Sequence, residues 1–106
     1  MYKLVFFVLE SHLEIVKTAV FAAGAGKLGN YDQCCWQVLG RGQFRPLPGA
    51  NPYCGKAGEL ECLPEYRVEL VCADEYIRPA IAALRAAHPY ETPAFDLSLL
   101  VDSEDF

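Results

Sequence analysis

Leu4-Val5-Phe6-Phe7-Val8-Leu9 is an unbroken apolar run, rich in β-branched and aromatic residues and ended by Glu10. It is long enough for a strand buried on both faces and too short for a helix. Ser11-His12-Leu13-Glu14 follows and reads as a capping box, with Ser11 and Glu14 exchanging side-chain and backbone hydrogen bonds. Leu13, Val16, Val20 and Ala23 recur at helical spacing, so the spacing predicts a helix over about residues 12–23. Gly24 and Gly26 supply a left-handed residue to end it.

Downstream, Gly24 to Asp32 is a turn-rich loop. Gln33 to Leu39 reads as a strand with Cys34, Trp36 and Val38 on one face. Gly40-Arg41-Gly42 then bends the chain, and Gln43-Phe44-Arg45 continues the extended path. Pro46 to Gly58 holds three prolines and three glycines and forms a long loop. Tyr66 to Cys72 alternates as a strand, with Tyr66, Val68, Leu70 and Cys72 pointing one way. Ile77, Ala80, Ile81, Leu84 and Ala87 form one helical stripe. With Asp74 as its N-cap, Pro79 predicts a distorted first turn or a late start. Pro89 stops that helix, Phe95 to Val101 is a last alternating strand, and Asp102 to Phe106 reads as a frayed tail.

The order β-α-β-β-α-β predicts an α+β, ferredoxin-like fold. Four antiparallel strands carry two helices on one face, with the first and third strands in the middle. Two helices cover only one side, yet the first strand is apolar on both. Val5, Phe7 and Leu9, joined by Val71 and Leu100, therefore predict a greasy reverse face that copies of the chain would cover.

At 106 residues the chain suits a single domain, 1–106. Hydrophobic residues make up 53% and charged residues 22%, which excludes disorder. Fourteen acidic residues against nine basic ones give a net charge of -5, so neither nucleic acid nor an anionic membrane finds a basic face. The N-terminal run has no basic leader and no cleavage site, which points to a cytoplasmic protein. Five cysteines without metal-ligand or redox spacing are expected to be reduced and packed in core or sheet.

Few residues carry chemistry. Gly24-Ala25-Gly26-Lys27-Leu28-Gly29 has dinucleotide-fingerprint spacing, but it follows a helix, whose C-terminus repels phosphate. Lys27 still brings a cation to this loop. His88 and Glu91, held between Pro89 and Pro93, offer two ligands to a divalent metal ion, which a neighbouring subunit or a cysteine would have to complete. The competing reading is a helix end capped by His88 in a stiff turn. His12 reads as a surface residue. Tyr31, Trp36, Tyr53 and Tyr66 either line a small-molecule cleft or serve as core and subunit contacts. No nucleophilic set and no catalytic residue can be named.

Four motifs in order carry a resemblance. They are Gly24-Ala25-Gly26 with Gly29-Asn30-Tyr31-Asp32 and Cys34; Gly40-x-Gly42-x-Phe44-x-Pro46; Glu65-Tyr66-Arg67-Val68-Glu69; and His88-Pro89-Tyr90-Glu91-x-Pro93. Together they resemble the YqfO-type domain of the NGG-interacting-factor family, from about Met1 to Val101. The chain departs from that pattern at Leu9, where a proline is common, and at Thr92, where an acidic residue is common. In larger relatives this domain is inserted into a body that binds two metal ions, whose ligands have no counterpart here. The resemblance implies a fold like CutA and PII proteins and a homotrimer, but no settled function; the leading reading is a non-enzymatic binding or regulatory module. Its inter-subunit clefts would take a divalent metal ion at His88 and Glu91, or a small anionic ligand at Lys27, Asn30, Tyr31 and Tyr90. The alternative is an enzyme of unrecognised activity, or an accessory subunit of a dimetal hydrolase-like partner.

Overall fold

The apolar run forms the strand expected of it. In the computed structural model, which describes residues 1–106, β1 (Tyr2–Val8) is followed by α1 (Glu10–Ala22), β2 (Trp36–Phe44) and β3 (Glu61–Cys72). A short 3₁₀ turn (Asp74–Tyr76) leads into α2 (Ile77–Ala87), then β4 (Phe95–Leu99). The sheet order is β2-β3-β1-β4, antiparallel throughout, so the first and third strands are central as predicted. Leu4 lies opposite Leu70 and Leu97, and Phe6 opposite Val68 and Phe95. Leu4, Phe6 and Val8 are fully buried beneath Leu13, Val16 and Val20 of α1 and Ala80 and Leu84 of α2. No helix is long and apolar enough to cross a membrane.

α1 differs from expectation at its start. α1 begins at Glu10, with Leu9 as an N-cap that makes no side-chain hydrogen bond. The capping box does not form: Ser11 Oγ lies 2.9 Å from His12 Nδ1, and Glu14 pairs with Lys17 at 3.2 Å. Leu9 is extended as it leaves β1, and its carbonyl accepts from His12 N at 3.0 Å, so the helix starts as soon as the sheet releases the chain. Glu10 in the first turn complements the helix dipole. The end of α1 is as predicted. Gly24 N donates to Phe21 O at 3.0 Å and Ala25 N to Val20 O at 3.2 Å, with Gly24 at φ 112°. This is a Schellman stop. The late start expected near Pro79 is also found: α2 begins at Ile77, so Pro79 sits in its first turn, where a missing N–H is harmless.

β2 runs straight through Gly40 and Gly42, without the expected bend, and β3 extends back to Glu61. Cys34 lies outside β2, in the loop, where its N–H donates to Gly26 O at 2.8 Å. β1 pairs with β3 only as far as Tyr66, so the far half of the β2–β3 hairpin projects beyond the core. The molecule is accordingly long, 49 × 25 × 22 Å. Pro64 is tolerated within β3 because that stretch is bonded on one side only. The tail makes one 3₁₀ turn, Ser103–Asp105, with the Asp102 carboxylate accepting from Glu104 N at 2.9 Å.

The reverse face is less greasy than predicted. Val5 is 7% exposed and Phe7 half-buried. Arg67, across from Phe7, sets its guanidinium 6.0 Å from that ring and pairs with Glu69 at 2.8 Å. Charged side chains on the neighbouring strands thus shield the centre. The apolar surface left on this face is at the β2 edge, where Trp36 is 59% and Val38 43% exposed. Among the cysteines, packing accounts for Cys72 alone, since Cys35 and Cys62 are exposed and Cys34 and Cys54 half-buried.

Candidate functional site

The projecting hairpin closes with a loop over residues 45–60 that folds back toward the turn after α2. Asn51 N donates to Glu91 Oε1 at 3.0 Å, and Gly58 N donates to Pro46 O at 2.8 Å. Between this loop, the end of β1 and the turn lies a cavity of about 240 Å³. Phe7, Phe44, Tyr53 and Tyr90 line it, together with Glu65, Glu91 and Cys54. The rings of Phe44 and Tyr53 stand 6.0 and 6.3 Å from that of Tyr90.

His88 builds the wall behind this cavity. It is 5% exposed; its Nε2 donates to Phe7 O at 2.7 Å, and its Nδ1 accepts from Tyr90 N at 3.2 Å. A carbonyl only accepts and a backbone N–H only donates, so the ring is neutral with its proton on Nε2. Burial pushes its pKa down, against the hydrogen bond to Phe7; the nearby His12 adds to the lowering. His12 is half-buried, not a free surface residue, and meets Tyr53 edge-on at 5.7 Å.

The Tyr90 hydroxyl is shielded from solvent and has no hydrogen-bond partner. Burial, reinforced by the charge of Glu65, pushes its pKa up to about 12, so the phenol keeps its proton. An orphaned buried hydroxyl costs roughly 1–3 kcal/mol. Glu65 reaches the cavity because the pairing of β2 and β3 lays its side chain over Gly42. Any Cβ at position 42 would collide with the Glu65 carboxylate. Burial pushes the pKa of Glu65 up as well.

The structure separates the residues the sequence grouped. Tyr90 lines the cavity, whereas Lys27, Asn30 and Tyr31 lie in the loop after α1. Gly26 N, in that loop, donates to Val71 O at 2.8 Å, beside the start of β1. Tyr90 is at the other end of β1, about 13–15 Å away along the strand. Lys27 Nζ stands 5.5 Å from the Tyr76 ring, and Asn30 and Tyr31 are exposed. His88 and Glu91 are both engaged by backbone groups, and no three His, Cys, Asp or Glu side chains are placed to hold a metal ion. Both ring nitrogens are spoken for, so His88 does not fit the ligand role within this chain. Of the aromatics weighed as cleft or contact residues, Tyr53 lines the cavity. Glu65, Phe7 and Phe44 went unassigned in the sequence, although Glu65 and Phe44 lie within the shared motifs. Their meeting depends on strand register, which local spacing does not reveal.

No family model matches the chain. Proteins named GTP cyclohydrolase 1 type 2 homolog do resemble it. The one from Mycobacterium tuberculosis is 48% identical over 99 residues, covering 93% of this chain and 26% of that protein. The Bacillus subtilis one is 40% identical over 95 residues, covering 90% and 26%. The chain thus spans about a quarter of the length of the curated relatives it matches. Among solved structures, a Bacillus cereus protein related to NIF3 matches with TM-score 0.82 and 38% identity, over 95% of this chain and 26% of that one. The divalent cation tolerance protein CutA of Archaeoglobus fulgidus matches at 0.68 and 13%, over 97% and 87%. The PII-like protein CutA of Nostoc matches at 0.67 and 16%, over 100% and 86%. At such identities the last two establish fold alone.

Proposed function

We propose that the chain is the YqfO-type domain of the NIF3-related family, which it resembles in sequence and in its CutA/PII-like fold, and that it is a small-ligand binding module. One observation carries this reading: the shielded, partnerless hydroxyl of Tyr90 beside an open cavity. A bound molecule would complete its hydrogen bonding, in a concave site with a few convergent polar groups. Two hydrogen bonds brace the site: His88 ties the turn to β1, and Glu91 ties the loop to the turn. We take residues 1–106 as one domain, and its five free thiols suit a reducing cytoplasm.

Self-association belongs to the same proposal. Trp36 and Val38 form an apolar edge beside the shielded centre of the reverse face, and a trimer would cover them. It would also offer a route for the Lys27 loop of one copy to approach the Tyr90 end of another. The relatives' name speaks of a cyclohydrolase, but this chain is only a quarter of their length. We place its contribution in binding, because His88 has neither ring nitrogen free for proton transfer. The test is a nuclear magnetic resonance titration of the whole chain with cationic, anionic and uncharged small molecules, read at Tyr53 and Tyr90. Binding moves these resonances in a saturable way; no shift with any class removes the proposal.

A further inference from the structure

We infer that the cavity beside Tyr90 takes a small organic cation, an alkylammonium or guanidinium group, paired with Glu65 and faced by aromatic rings. The inference rests on the binding reading above and names the ligand class for it.

The lining chemistry points one way. No Lys, Arg or His lines the cavity, whereas two carboxylates do. Glu91 already accepts a backbone hydrogen bond, but none of the chain's ion pairs involves Glu65. Glu65 is half-buried, and its charge is held against the aromatic wall without a counterion. Burial accordingly raises its pKa, the mark of a carboxylate whose charge lacks compensation. A cation restores what burial removes. An anion would meet two carboxylates, and an uncharged ligand would leave Glu65 as it is.

The rings supply the second component. Phe7, Phe44, Tyr53 and Tyr90 stand around the same space, and an aromatic face attracts a cation through its quadrupole, more strongly when water is excluded. The Tyr90 hydroxyl, shielded and unpartnered, belongs to a residue of the same wall. Gly42 completes the arrangement: with no side chain there, the Glu65 carboxylate has room to lie against β2.

Choline and its uncharged carbon isostere, 3,3-dimethylbutan-1-ol, separate charge from shape. Calorimetric titration of the whole chain is expected to show choline binding at least about tenfold more tightly than the isostere, roughly 1.4 kcal/mol. Glu65→Gln and Tyr53→Ala should each weaken choline about tenfold, while Glu104→Gln, on the exposed tail, leaves it unchanged. Circular dichroism confirms that each variant is folded. Equal binding of choline and isostere overturns the inference, as does choline affinity that survives Glu65→Gln. If neither choline nor guanidinium binds at millimolar concentration while an anionic or uncharged ligand shifts Tyr90, the cation class is wrong and the binding module stands. If nothing shifts Tyr90, both fail.

Discussion

Replacing His88 by Phe separates the packing of a ring from its hydrogen bonds. His88 is 5% exposed, so a ring of similar size fills the same space. Two bonds are lost, to Phe7 O at 2.7 Å and from Tyr90 N at 3.2 Å. Each leaves a shielded backbone group without its partner, at a cost of about 1–3 kcal/mol. The pair therefore predicts about 2–6 kcal/mol, out of the roughly 5–15 kcal/mol that hold such a domain together. Urea unfolding followed by circular dichroism measures it, as a lower midpoint with an unchanged slope. The pH dependence adds an independent arm. Burial lowers the pKa of folded His88 below its ordinary value of 6.5. As pH falls through 6.5 the unfolded chain takes up a proton that the folded ring refuses, so the wild type loses stability there. The loss levels off once pH drops below the folded value. The His88→Phe variant should lack this component, so the difference between the two proteins narrows as pH falls. A variant as stable as the wild type, or a difference that does not change between pH 7 and 5, would refute the structural role assigned to His88.

Gly42→Ala should push the flexible Glu65 carboxylate off β2 at little cost in stability. Choline binding is expected to disappear while the circular dichroism spectrum is retained; intact binding would contradict the geometry. Trp36→Asp puts a charge on the apolar β2 edge and should convert the proposed oligomer into a monomer. Light scattering reads this directly, and an unchanged mass would place the contact elsewhere. Thiol labelling should be fast at Cys35 and Cys62. It should be slow at Cys72 until the chain unfolds, since Cys72 is buried and its pKa is raised by that burial. Rapid labelling of all five thiols in the folded protein would argue against the core as described.

The local elements were legible because their signals are local. An apolar run bounded by Glu10, a stripe of Leu13, Val16 and Val20, and a glycine after the last helical turn each act within one or two turns of chain. The order of the strands followed from those elements and the handedness of crossovers. The errors share a cause. Ser11 and Glu14 have the pattern of a capping box, but the release of the chain from β1 sets where α1 begins. The breadth of the reverse face was overestimated because Arg67 and Glu69 read as ordinary alternation until β3 was placed beside Phe7.

Sequence alone determined the α+β class, the four strands and two helices, and the resemblance to the YqfO-type domain, because periodicity and short motifs are properties of neighbouring residues. Only the tertiary structure decided which groups meet. Glu65 stands opposite Gly40 and lays its side chain diagonally over Gly42 through a strand register that covers the whole hairpin, and Tyr90 reaches Phe7 across 83 positions of chain. His88 becomes a backbone tie once both its nitrogens find partners brought in by the fold. Hydrogen bonding and burial act at distances of a few ångströms in space, so a site assembled from distant segments exists only after the chain has closed around it.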